Sequence, residues 1–166
     1  MAEELNRINS SAPSVVNVCI DCTGGGNLSG RLYHKYQKDA VLFSSVTILI
    51  RELEALFDWI DFPQSSTRAR SFADRGRKIE KKEAVQVADT KDILGHKGDK
   101  ATFVVHVRYR QNATWQGDVL WADKRQKLHF RSALELLKLI DSALDEEEEE
   151  ALCKTETTDE CGNLGT

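Results

Sequence analysis

Shifted along itself by 87 residues, the chain lays positions 15–58 over 102–145 without a gap. Gly30 then meets Gly117, Phe43-Ser-Ser45 meets Phe130-Arg-Ser132, Leu49 meets Leu136 and Asp58 meets Asp145. Identity is only six of 44 positions, but fifteen apolar positions coincide, where random overlap gives roughly ten. The same order of elements reads twice. Val16, Val18, Ile20 and Cys22 alternate with other residues, as do Phe103, Val105, Val107 and Tyr109, the period of a half-buried strand. A turn follows, Thr23-Gly-Gly-Gly-Asn27 in one half and Gln111-Asn-Ala113 in the other. Second strands run through Gly30–Tyr33 and Gly117–Leu120, and third strands end at Phe43 and Phe130.

A helix closes each unit. Ser132 and Glu135 have the spacing of a capping box, in which the serine oxygen accepts an N3 amide and the glutamate reaches back to the cap amide. Leu136, Leu137, Ile140, Ala143 and Leu144 then recur at helical spacing, matched by Leu49, Ile50, Leu53, Leu56 and Phe57. The first helix should stop before Pro63, because the residue ahead of a proline avoids the helical region. The expected fold class is α+β: a tandem βββα repeat, residues 15–60 and 102–146, forming one pseudo-twofold domain by sheet extension or helix packing. Two small tethered modules are the alternative.

The remaining segments divide by charge. The net charge is −4, but residues 141–166 alone carry −9 and leave a body of +5. Residues 147–166 are expected to be an acidic disordered tail, since the run Asp145–Glu150 repels itself. Residues 1–14 are expected to be a disordered leader with no signal-peptide character, and no stretch is apolar enough for a membrane span. A cytoplasmic protein with no membrane contact is the expectation. Between the units, residues 63–100 read as a basic connector carrying Arg68, Arg70, Arg75, Arg77 and Lys78.

Chemistry is sparse. Cys19 and Cys22 have CxxC spacing, but in a strand they point to opposite faces, and Cys153 and Cys161 make a poor second pair. No metal and no cofactor are expected. The triple glycine precedes a strand rather than a helix N-terminus, so it reads as a hairpin turn and not a phosphate loop. Trp115 and Trp121 share the parity of core positions and read as packing. If Val105 and Val107 face inward, then His106, Arg108 and Arg110 face solvent, with His129 and Arg131 beside them. His106 and His129 are the one candidate acid–base pair, two strands apart, and a solvated basic face is the plainer reading.

Two resemblances follow from these residues. Ala113–Trp121 with its Trp-Gln-Gly, followed by Phe130-Arg-Ser-Ala-Leu-Glu-Leu-Leu-Lys-Leu-Ile140, resembles a recurring domain of uncharacterised Gram-positive gut bacterial proteins, and Gly30–Asp58, then Asp61-Phe-Pro-Gln64 and Arg70-Ser-Phe72, resembles its N-terminal half. That resemblance implies no activity. The tandem strands-then-helix outline is similar to the PUR and Whirly single-strand-binding folds, which use four strands per repeat where three are counted here. The expected function is non-enzymatic: a binding or regulatory module, an adaptor or inhibitor for a protein partner. The alternative is nucleic-acid binding through the connector cations Arg68, Arg70, Arg75, Arg77 and Lys78 and the face carrying Arg108, Arg110 and Arg131.

Overall fold

The computed structural model describes residues 8–66, 72 and 83–156. In chain order these form β1 (Val15–Gly24), β2 (Asn27–His34), β3 (Val41–Phe43), α1 (Val46–Ile60), α2 (Thr90–Leu94), β4 (Ala101–Tyr109), β5 (Gln116–Trp121), β6 (Gln126–Phe130) and α3 (Ala133–Glu156). The class is α+β. All six strands join one antiparallel sheet in the order β3-β2-β1-β4-β5-β6. The two halves meet at the centre, where β1 pairs with β4 from Val15↔His106 to Ile20↔Ala101.

Alternation sorts each strand between two faces. Val16, Val18 and Ile20 of β1 share the first face with Phe103 and Val105 of β4, and the apolar stripes of α1 and α3 cover it. Leu49, Leu53, Phe57, Leu136 and Ile140 are buried there. Fully burying a side chain of this size contributes about 1.5–3 kcal/mol. Trp115 and Trp121 lie in the same core, and Trp115 meets Phe57 edge-on at 5.7 Å.

The local signals fold as their chemistry dictates. Gly25 and Gly26 take φ of 59° and 78°, the left-handed pair a two-residue hairpin needs, so the glycine run is a turn between β1 and β2. Ser45 Oγ accepts the Ile48 N–H at 3.3 Å, and Ser132 Oγ accepts the Glu135 N–H at 3.0 Å. The reciprocal half of the expected capping box differs. Glu135 Oε2 takes the Arg131 N–H at 2.7 Å, one residue before the cap. α1 ends at Ile60 with Asp61 left-handed (φ 52°), ahead of Pro63.

Three expectations about segments need correction. First, residues 8–14 are not loose: Ile8 and Ala12 are buried with Val15, Val104 and Leu120 on the second face of the sheet. Second, residues 83–100 of the expected connector are tied to the sheet, although most of their side chains are exposed. Val87 and Ala88 donate to the Lys35 carbonyl, Lys100 donates to that of Ile20, and Ile93 packs with Cys19 and Tyr33. Together these segments roof much of the second face. Third, the acidic run does not leave the fold at 147. α3 continues to Glu156, and Lys124 Nζ lies 2.6 Å from Glu150 and 3.8 Å from Glu147. Glutamate, alanine and leucine are good helix formers, and the lysine offsets part of the like-charge repulsion. Residues 157–166 lie outside the described residues. Among the described residues, no helix is long and apolar enough to cross a membrane.

Candidate interaction surface

The second face of the sheet carries a polar row set by strand register. His106 on β4 faces Asp118 on β5, and Asp118 faces His129 on β6. The two histidines therefore flank one carboxylate. Asp118 is only 5% exposed, yet it gathers three basic groups: Arg108 Nη2 at 2.6 Å, His129 Nδ1 at 3.4 Å and Lys127 Nζ at 3.7 Å. His106 is buried, against the expectation of a solvated position, because the roofing segments cover its end of the row. Burial pushes its imidazole below the usual histidine value, and the Arg108 guanidinium adds to that. His129 stays exposed.

An Asp–His pair of this kind orients an imidazole for proton transfer. Neither the small hollow beside Leu128 nor the open groove at the end of β4 touches Asp118 or His129, however. Among the described residues, no group of three or more His, Cys, Asp or Glu side chains is placed to hold a metal ion. Cys19 is buried and its thiol is pushed up to about 11 by that burial, while Cys22 is exposed. Cys161 lies outside the described residues.

The expected cationic face is divided by the structure. Arg108 pairs with Asp118, as above. Arg110 is not on that face at all. A β-bulge between Val107 and Tyr109 breaks the alternation, and Arg110 turns to the helix side. There it is 5% exposed, donates to the Pro63 carbonyl at 2.6 Å, pairs with Asp58 at 2.6 Å and lies 5.8 Å from the Phe57 ring centre. It ties the start of the connector to the core. Arg131 is 81% exposed and reaches Glu135 at 3.5 Å. Arg68, Arg70, Arg75, Arg77 and Lys78 lie outside the described residues.

Two surface features were not read from the sequence. One is an open groove of about 410 Å³ at the bulged end of β4, lined by Phe62, Pro63, Arg108 and Tyr109. Phe62 and Tyr109 both expose aromatic surface there. The other is the unroofed outer edge of the sheet at β6, where Leu128 is exposed. The sequence carried no signal for the groove: Tyr109 continues the apparent alternation after Val107, and a bulge has no sequence mark of its own. Comparison with family models, curated proteins and solved structures finds no match to this chain.

Proposed function

We propose that this chain is a non-enzymatic binding module of the cytoplasm, an adaptor or inhibitor that engages a protein partner, built from two copies of one βββα unit about a pseudo-twofold axis. The duplication is supported by register. The 87-residue offset carries Ile20↔Gly30 onto Val107↔Gly117 and Gly30↔Phe43 onto Gly117↔Phe130. It carries the bulge at Ile20/Cys22 onto the bulge at Val107/Tyr109, and the cap Ser45 onto Ser132. The β1–β4 ladder maps onto itself about the pair Asn17↔Val104.

One observation favours protein over nucleic acid. Each of the three candidate arginines within the described residues is already matched to a carboxylate: Arg108 to Asp118, Arg110 to Asp58 and Arg131 to Glu135. Trp115 and Trp121, the tryptophans beside these strands, are core residues rather than stacking platforms for bases. The groove instead offers exposed aromatic surface with a cation at its rim, the composition of a protein-binding patch.

The test is partner capture from the native host by the wild-type chain and by Phe62→Ser/Tyr109→Ser. Retention of a specific protein by wild type and its loss in the variant supports this reading. Salt-sensitive retention of single-stranded or duplex nucleic acid, weakened by Arg68→Ala/Arg70→Ala, replaces it with the nucleic-acid reading.

A further inference from the structure

We propose that the outer edge of β6 is a strand-docking site for an extended peptide in which acidic and apolar residues alternate; the inference rests on the protein-binding reading above. β6 is the last strand of the sheet among the described residues, five residues long, and its outer side faces no other strand. An edge of this kind templates a further strand through its main-chain groups, and the flanking side chains choose which.

Those side chains differ by face. Lys127 and His129 stand on the Asp118 face of β6, and Arg131 follows the end of the strand, largely exposed beside Glu135. Leu128 lies on the helix side, next to a small apolar hollow of about 30 Å³ lined by Trp121, Gln126, Leu139 and Ala143. A peptide strand added beside β6 alternates between the same two faces. Its odd residues meet Lys127, His129 and Arg131, where the cations Arg108, Lys127 and Arg131 outnumber the carboxylates Asp118 and Glu135, which calls for Glu or Asp. Its even residues meet Leu128, which calls for a small aliphatic side chain.

The same charges argue against a second copy of this chain as the occupant. Two β6 edges paired antiparallel about Leu128 would set Lys127 beside the His129 of the second copy and bring the cations Arg125 and Arg131, which flank the strand, near one another, each twice. Like charges directly opposite are destabilising. The opposite edge, β3, has only three residues, and its exposed Leu42 stands where β6 has His129 in the 87-residue offset. It offers a peptide less length and no charge.

The experiment is an NMR titration of the isotopically labelled full chain with a capped seven-residue peptide of alternating Glu and Val, and with its Lys/Val counterpart. The Glu/Val peptide is expected to bind about tenfold tighter, with amide shifts concentrated at residues 126–131. In His129→Glu/Arg131→Glu, at two exposed positions, the preference should reverse toward Lys/Val. Equal affinities, no binding, or shifts centred on β3 or on the Phe62–Tyr109 groove would each overturn the inference. So would a wild-type dimer in sedimentation whose contact maps to residues 126–131. Should that variant not fold, the wild-type shift map decides alone. Shifts at the groove sink the β6 site and leave the binding-module reading intact. Failed partner capture sinks that reading whatever the peptides do.

Discussion

Arg108 lies 2.6 Å from the buried carboxylate of Asp118, and 87 residues earlier the same two positions hold Asp21 and Arg31, paired at 2.8 Å with the charges exchanged. The guanidinium of Arg31 holds the Asp21 carboxyl below its usual value. Under the proposed duplication, a cross-strand ion pair is kept in place while its polarity is inverted.

That inversion makes a charge swap informative. Arg108→Asp and Asp118→Arg should each destabilise the chain by about 1–3 kcal/mol, since each leaves like charges at a mostly buried position. The double swap recreates the arrangement of Asp21 and Arg31 and should recover part of the loss, with a coupling of about 0.5–3 kcal/mol in urea unfolding. Strict additivity would show that the pair is incidental.

Gly30 and Gly117 should respond alike to alanine. A Cβ at Gly30 would overlap the Cys19 carbonyl oxygen, and one at Gly117 would overlap the His106 carbonyl oxygen. Backbone cannot yield as a side-chain tip can, so each alanine should cost about 1–3 kcal/mol or more. Thermal unfolding checks this. Tolerance at one site and damage at the other would count against equivalent packing in the two halves.

Leu49 and Leu136 occupy matching places on α1 and α3, both buried against the sheet. Truncation to alanine should cost about 2–5 kcal/mol at each. Because both helices pack on one continuous sheet, the loss should appear in a single cooperative transition. Two separate transitions would mean two independent modules.

Stability should fall as the solution is acidified through the histidine range. Burial lowers the values of His34 and His106; around His106, Arg108, Lys127 and Lys35 act in the same direction and Asp118 opposes them. A group whose folded value lies below its unfolded one binds fewer protons when folded. Its contribution is complete above the unfolded value of about 6.5 and is lost as pH falls from there through the folded value. The urea midpoint should therefore drop between pH 7.5 and pH 5, and His34→Gln/His106→Gln should flatten that slope. An unchanged slope in the double variant would assign the effect to other groups.

Much of the helix-facing core was legible in the chain. The alternation of Val16, Val18 and Ile20 and the stripes of α1 and α3 place those residues correctly, because each depends on neighbours within a few positions. Arg110 was misplaced because parity counting assumes an unbroken strand, and the bulge before Tyr109 inserts one residue. Asp118 had the parity of an outward residue, but its place between two histidines depends on three strands aligning in register. Lys35 and Asn17 were not singled out. Asn17 is fully buried because its amide donates to the Ile93 and His96 carbonyls, 76 and 79 residues away.

By itself the sequence determined the six strands and the two long helices, their order and the face each helix covers, since strand and helix periods are local and the hydrophobic effect selects the apolar side. Only the tertiary structure decided that β1 joins β4 edge to edge, and that residues 8–14 and 83–100 fold over the second face. Alternation separates two faces without saying what covers either one. That cover is a matter of long-range contact, and it buried His106, which was expected to be solvated, together with Asn17.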